Sequence, residues 1–89
     1  MKKIKRILRT ISYRKKTERF NRNYKKYSIQ IPKLMKASTL MELDFASGYI
    51  TGQIEAAFEY GEISEKQHDE LIQIVRYIHD GERERKENE

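Results

Sequence analysis

Two helix-start signals and one helix-stop signal lie close together in the second half of the sequence, and they constrain the fold more than any other feature. Residues 39–42 (TLME) form a capping-box pattern, in which the Thr oxygen accepts a backbone N–H and the Glu carboxylate reaches back. Residues 64–67 (SEKQ) form a second capping box, and Gly61 before them is a natural helix stop. Two helices joined by so short a turn predict an antiparallel helical hairpin over residues 38–80.

Each predicted hairpin helix has an apolar stripe at the spacing of one helix face, so the two stripes can meet and form a core. In the first helix the stripe consists of Leu43, Ala46, Ile50, Ile54 and Ala57. In the second it consists of His68, Leu71, Ile72, Val75, Ile78 and His79. The two histidines are expected to have buried rings and solvated nitrogens.

The first hairpin helix is apolar on a second side, which we call the aromatic face. The aromatic face consists of Met41, Phe45, Tyr49, Gly52, Ala56 and Tyr60. A helix that is apolar on two sides is normally buried on two sides, so another surface must cover this face. The N-terminal segment, a second copy of the chain and a target protein are all candidates. The residues predicted to dock on protein are Phe45, Tyr49, Gly52, Ala56 and Tyr60, together with Glu55 and Glu59.

Small residues follow one ridge of the same helix, namely Gly48, Gly52 and Ala56. Each glycine lowers helix stability by about 1 kcal/mol relative to alanine, so two of them indicate a need for space beside the helix. Tight packing inside the protein is favoured over an external docking groove.

The two parts of the chain have opposite charge. Residues 1–36 contain 14 Lys or Arg and a single acid, Glu18, which gives +13. Residues 37–89 contain 5 Lys or Arg and 13 Asp or Glu, which gives −8. This asymmetry predicts a basic arm attached to an acidic body.

The basic arm, residues 1–27, is predicted to be partly helical. Its apolar residues form two stripes on roughly opposite sides of a helix: Ile4, Ile7, Leu8 and Ile11, then Tyr13, Phe20, Tyr24 and Tyr27. Either the helix breaks near Ser12, or its two sides meet different partners. Asn21 and Asn23 weaken a helix in this region.

Two segments flank the hairpin. Residues 28–37 are predicted to be a short extended connector, because Ile29 and Ile31 alternate with polar residues and the proline that follows disfavours a helix. Gly81 is expected to end the second helix, which leaves residues 81–89 as a charged tail, either a frayed helix end or a disordered segment. The predicted fold is therefore all-α, an antiparallel helical hairpin preceded by a basic, partly helical N-terminal segment.

Several functional classes are disfavoured by what the sequence lacks. Without cysteine there is no disulfide, thiol nucleophile or cysteine zinc site. His68 and His79 are separated by about 16 Å of helix rise, which is too far for one metal ion. No catalytic triad or phosphate-binding glycine loop is present, so we expect a non-enzymatic protein without metal or cofactor. No run approaches the roughly 20 apolar residues of a membrane span and no signal peptide is evident, so a cytoplasmic location is expected.

The segment from Tyr13 to Tyr27 interleaves cations with aromatic residues, a pattern typical of nucleic-acid-binding surfaces. Cations attract phosphates, and unpaired bases stack on aromatic rings. The residues predicted to bind RNA or DNA are Arg14, Lys15, Lys16, Arg19, Arg22, Lys25 and Lys26, together with Phe20, Tyr24 and Tyr27. In the alternative interpretation the rings cover the aromatic face while the cations stay solvated, and both can hold at once.

Two stretches are similar to known proteins. The arm sequence YRKKTERFNRNYKK resembles the basic arms, rich in Tyr, Arg and Asn, of some anti-CRISPR proteins that inhibit Cas9. The hairpin sequence ASGYITGQIEAAFEYGEISEKQHDELI resembles hairpins in small proteins of phages and mobile elements. The resemblance implies a protein that docks on the Cas9–guide RNA complex, with its arm on the guide RNA or in the nucleic-acid channel. Many such inhibitors are acidic DNA mimics, whereas only the hairpin of this chain is acidic.

Two further functions stay open. The first alternative is a dimeric DNA-binding regulator that pairs through the hairpin and holds phosphates with the arm. Its second hairpin helix has only Lys66 and Arg76 before the tail, which disfavours major-groove reading by that helix. The second alternative is a membrane-surface protein anchored by MKKIKRILRTI, which ranks last because the apolar side is short and lacks Trp and Phe.

Overall fold

A computed structural model describes the backbone of residues 2–88 and the side chains of residues 14–88. It contains three α-helices: α1 (Lys2–Ser28), α2 (Leu40–Glu59) and α3 (Glu65–Glu87). A short 3-10 helix (Ile31–Lys36) connects the first two, and no strand occurs between residues 2 and 88. Helices α2 and α3 pack along each other, which confirms the predicted all-α fold and its helical hairpin.

The hairpin ends are formed by the predicted signals. The Ser64 hydroxyl accepts the Gln67 N–H and the Gln67 side chain accepts the Ser64 N–H, both at 3.1 Å, so this capping box is complete. At α2 the Thr39 hydroxyl accepts the Glu42 N–H at 3.1 Å, but the Glu42 carboxylate accepts from Ser38 instead of Thr39. Both devices satisfy N–H groups that have no partner inside the helix.

The turn between α2 and α3 requires its glycine. Gly61 has a φ of +69°, a left-handed conformation that side chains disfavour. Its N–H donates to the Phe58 carbonyl at 3.0 Å, and the Glu62 N–H donates to the Ala57 carbonyl at 2.8 Å. These two bonds form a Schellman motif, which ends α2 and turns the chain back toward α3.

The segment predicted as an extended connector at residues 28–37 is instead helical. Ser28 is the last residue of α1, and the 3-10 helix begins at Ile31. Pro32 lies in the first turn of that helix, where a missing N–H is tolerated. Ile31 and Leu34, three residues apart, share one side of the 3-10 helix and are buried, whereas Ile29 is 64% exposed. The alternation of Ile29 and Ile31 therefore did not mark a strand.

The predicted end of α3 at Gly81 is also wrong. The helix continues through Gly81 to Glu87 and includes most of the predicted charged tail. Glu82 is buried and accepts from Arg85 at 2.6 Å, and Arg83 donates to Glu87 at 3.0 Å. Ion pairs at these spacings stabilise the helical turns that follow the glycine.

One core joins all the elements. It consists of Tyr27, Ile31, Leu34, Leu43, Ile50, Ile54, Ala57, Ile63, Leu71, Ile72 and Val75. The predicted stripes of both hairpin helices contribute to it, with Ala46 and Ile78 partly buried beside it. The aromatic stripe of α1 reaches the core through Tyr27, while Tyr24 packs against its edge.

Candidate binding surfaces

Helix α1 is continuous through Ser12, so of the two alternatives left open by the sequence the helix break is absent. Polar side chains hold its C-terminal half on the turn of the hairpin. Arg19 donates to the Gly61 carbonyl at 3.1 Å and Asn23 donates to the Glu62 carbonyl at 2.9 Å. Gln67 also donates to Asn21, at 3.1 Å. The asparagines, expected only to weaken the helix, position it; a long-range role of this kind leaves no signal in a single sequence.

Tyr27 anchors α1 in the core and is 8% exposed. Its hydroxyl donates to a Glu62 carboxylate oxygen at 3.3 Å. Burial, followed by the charge and the hydrogen bond of Glu62, raises the pKa of Tyr27, so the phenol stays a donor at neutral pH. A ring held in this way cannot stack on a base while α1 stays docked.

The cations of α1 divide into two groups. One group lies against the protein: Arg19 is bound to the turn, and both Lys16 and Arg19 lie within 5.7 Å of the centre of the half-buried Phe20 ring. The other group points outward, and we call it the basic face. The basic face consists of Arg14, Lys15, Arg22, Lys25 and Lys26, all exposed, and the Lys26 ammonium at its edge also lies 5.4 Å from the centre of the Tyr27 ring. Glu18 is the one acid among them, so the face keeps a large positive charge. The side chain of Tyr13 lies outside those described.

The aromatic face of α2 is exposed. Met41 is 82%, Phe45 76%, Tyr49 60% and Tyr60 81% exposed, and the described part of α1 packs elsewhere. The preferred interpretation of the glycine ridge, tight packing inside the protein, is wrong. A Cβ atom added at Gly48 or Gly52 would meet nothing within 4 Å. The space that these glycines leave therefore opens outward, on the same side as the aromatic rings.

The carboxylates of α2 lie to one side of the aromatic face. Glu55 lies 3.1 Å from His68 of α3 and Asp44 lies 2.7 Å from His79. His68 Nε2 and the Glu55 carboxylate lie within ion-pair distance, but their geometry is not that of a hydrogen bond. His68 Nε2 has no hydrogen-bond partner among the described residues. Glu59 is exposed. Of the two carboxylates predicted to dock on protein, only Glu59 is therefore outside an ion pair.

Both histidines are part-buried, as predicted, but their nitrogens face carboxylates. The hydrogen bond to Asp69 is the main cause that raises the pKa of His68; burial acts in the opposite direction, and Glu55 adds to the rise. For His79 the main cause of the raised pKa is the hydrogen bond to Asp44, again opposed by burial and aided by Asp80. Protonation of either ring therefore strengthens its contact across the hairpin.

An apolar groove, which the sequence analysis missed, runs between α1, the 3-10 helix and α3. It measures about 640 Å³ and is lined by Tyr24, Met35, Glu70, Gln73, Ile74, Tyr77 and Ile78. Met35 and Tyr77 are 55% and 82% exposed. In the sequence, Tyr77 lies outside the core stripe of α3. That position of a large aromatic residue was the feature that could have indicated this groove. We call this surface the Tyr77 groove.

Within the part of the chain that is described, no group of His, Asp and Glu side chains could hold a metal ion. None of the helices described is long and apolar enough to cross a membrane. Comparison with protein-family models, with curated proteins and with solved structures gave no significant match. The chain's own surfaces are therefore the basis for a proposed function.

Proposed function

We propose that this chain is a non-enzymatic binding protein that engages a complex of protein and nucleic acid. The basic face of α1 contacts RNA or DNA, and the hairpin docks on the protein component. The observation that carries this proposal is the separation of the surfaces. The basic face is turned outward, while the Tyr77 groove beside α1 exposes the apolar side chains of Met35 and Tyr77.

The basic face is suited to phosphate contact because its cations are exposed to solvent. Arg19 and Tyr27 hold α1 in place, whereas Arg14, Lys15 and Arg22 extend away from the core. From Arg14 to Lys26 the helix rises about 18 Å, which spans several phosphates. Binding through such a face is strongly salt-dependent and weakly sequence-specific.

The Tyr77 groove lies beside α1, since Tyr24 lines it. A protein that itself carries nucleic acid can therefore meet the groove while its nucleic acid meets the basic face. An RNA-guided nuclease such as Cas9 with its guide RNA is the most concrete target of this kind, and inhibition of that nuclease is the specific form of the proposal. Phe20, half-buried beneath two cations, remains a candidate for base contact at the edge of the basic face.

The nucleic-acid part is tested by removing four exposed cations. The variant Arg14→Gln/Lys15→Gln/Arg22→Gln/Lys25→Gln should lose most of its affinity for single-stranded RNA, because it lacks four cations that contact phosphates. Each lost contact should also make the slope of log affinity against log salt shallower by about 0.7. The matched control removes four exposed cations elsewhere, Lys33→Gln/Lys36→Gln/Lys66→Gln/Arg76→Gln. It has the same net charge and should keep the affinity and the slope. Equal loss in both variants would mean that only net charge matters.

The specific form of the proposal, inhibition of an RNA-guided nuclease, is tested with a Cas9–guide RNA complex. Tagged protein should retain the complex in a pull-down and slow cleavage of target DNA. Tyr77→Glu, which places a charge in the groove, should weaken retention after nuclease treatment, whereas Lys33→Glu should not. Absence of both retention and inhibition would reject the nuclease-inhibitor form and leave nucleic-acid binding to the first test.

A dimeric DNA-binding regulator is the second candidate, and the exposed aromatic face favours it because pairing of two copies there would join two basic faces. Its cations on α3 are few: Arg83 and Arg85 are paired with acids of the same helix. Contact with DNA would therefore come from α1. Gel shifts of duplex DNA that persist after the four-cation change in α1 would reject it.

A further inference from the structure

The aromatic face combines large exposed side chains with empty positions. Phe45 and Tyr49 project from the N-terminal half of α2, while the space beside Gly52 is open. At about 100° per residue, the large and small residues occupy one sector of the helix. A surface with both protrusions and hollows selects a partner of complementary shape.

The face is complementary to itself when two copies run antiparallel. A two-fold axis between Ile50 and Thr51 pairs residues whose numbers sum to the same value. Near the axis large side chains meet small ones, Phe45 with Ala56 and Tyr49 with Gly52. At each end of the interface two large side chains, Met41 and Tyr60, come to the same level. A parallel arrangement would instead place Phe45 on Phe45. Missing side chains at the crossing point let two helices approach to about 8 Å between axes, at the short end of the usual range.

The charges also allow this pairing, although α2 has four acids and no bases. Asp44 and Glu55 are held by histidines of their own α3, and Glu42 caps its own helix. Glu59 is the acid of α2 outside such a contact. In the antiparallel arrangement it comes to the level of Glu42 of the other α2, a like charge, but at an N-terminal end where the helix dipole favours carboxylates.

The exposed area is sufficient. A Phe or Tyr side chain buries roughly 150–250 Å². Phe45, Tyr49 and Tyr60, each at least 60% exposed, together with Met41, bring two copies to about 1,000 Å² or more, the lower bound for a specific interface. An uncovered apolar patch of this kind is unusual on a small monomer.

We propose that a second copy of this chain covers the aromatic face, in a two-fold antiparallel α2–α2 dimer centred between Ile50 and Thr51. The interface is isologous and closes on itself, so assembly stops at two copies. This inference assigns a partner to the aromatic face. It rests on the proposed function only for the role of the dimer in nucleic-acid binding, and the pairing itself does not depend on that function. The residues that dock α1 are not on the aromatic face, so both basic faces stay exposed in the dimer.

The first test uses the full chain alone, without nucleic acid or target, in sedimentation equilibrium. The mass should rise from the 10.7 kDa monomer to twice that value as concentration increases. Gly52→Leu should raise the dissociation constant of the dimer at least about tenfold, because leucine fills the hollow that receives Tyr49. The same change should leave the monomer folded or more stable, since Gly52 has open space and leucine favours helix more than glycine.

Gly81→Leu is the matched control. Gly81 is also a helical glycine with open space around it, but it lies on α3, away from the aromatic face. This variant should dimerise like the original chain. A chain that stays monomeric at all concentrations, or forms assemblies larger than two, overturns the proposal. A dimer that Gly52→Leu leaves unchanged also overturns it, because that dimer uses another surface.

The second test determines the register and exploits the absence of cysteine from the chain. Under mild oxidation, Phe45→Cys mixed with Ala56→Cys should form a disulfide-linked pair at least about tenfold faster than either variant alone. Rapid linkage of Phe45→Cys to itself would overturn the antiparallel register. The four-cation variant of α1 should still dimerise, so a failure of RNA binding and a failure of pairing are distinguishable.

Discussion

Helices α1 and α2 both carry aromatic rings and charges, but they use them in opposite ways. In α1 the rings turn inward, with Tyr27 in the core, and the cations turn outward. In α2 the rings of Phe45 and Tyr49 turn outward, and two of the carboxylates are tied to histidines. The same residue types therefore stabilise the fold in one helix and form an exposed surface in the other. Composition alone does not distinguish these roles, but measurements of stability do.

The largest expected difference is between two aromatic truncations. Tyr27→Ala should lower the free energy of unfolding by about 3 kcal/mol, because it leaves a cavity and removes the hydroxyl that binds Glu62. Phe45→Ala should change it by less than about 0.5 kcal/mol in dilute monomer. Urea unfolding at low protein concentration measures both. Equal losses would show that the aromatic face is covered within the chain and would remove the contrast between α1 and α2.

The next largest effect concerns two glycines, at which a change to alanine should shift the stability of the protein in opposite directions. Gly61→Ala should destabilise the protein by about 1 kcal/mol or more, because the turn requires a positive φ. Gly52→Ala should stabilise the monomer by up to about 1 kcal/mol, because the helix gains propensity and the added methyl meets nothing. Thermal unfolding of the two variants measures the difference. Destabilisation by Gly52→Ala would indicate a close contact that the structure does not contain.

The smallest expected effect is a pH dependence of the hairpin. Both histidine pKa values are raised in the folded state, so their stabilising contribution is complete below about pH 6.5, the value of an unperturbed histidine. That contribution is lost as the pH rises through the raised folded values. An ion pair near the surface contributes about 1 kcal/mol or less.

Unfolding free energies measured from pH 5.5 to pH 8.5 should therefore fall on the alkaline side. Asp44→Asn combined with Asp69→Asn should flatten the decrease, because these two carboxylates are the main causes of the raised histidine pKa values and neutral amides no longer favour the imidazolium. The control is Glu59→Gln, which has no histidine partner and should leave the slope unchanged. A slope that rises with pH, or survives the double change, would contradict the assignment to these pairs.

Sequence reasoning predicted the hairpin well because its determinants are local. The capping residues and Gly61 act on atoms within about one turn of themselves. It failed at the connector, where Ile29 and Ile31 alternate, and at Gly81, where ion pairs of the following turn extend α3. In both places a local pattern was compatible with two conformations, and neighbouring contacts selected one.

The candidate surfaces were predicted less completely. The second apolar side of α2 follows from spacing, since that helix has more apolar residues than one partner can bury, but the exposure of that side does not. The attachment of Arg19 to the hairpin turn and the Tyr77 groove depend on segments far apart in the chain. Spacing along one helix contains no information about such contacts.

The sequence by itself therefore determined the hairpin, its turn and the division of charge, because caps, glycine conformation and charge are properties of single residues and their near neighbours. Only the tertiary structure decided which aromatic residues support the fold and which remain exposed. Tyr27 is buried because α1 docks beside Glu62, and Phe45 is exposed because the side of α2 that packs on α3 and the 3-10 helix is the opposite one. Burial is a property of the assembled helices, and no residue specifies it alone.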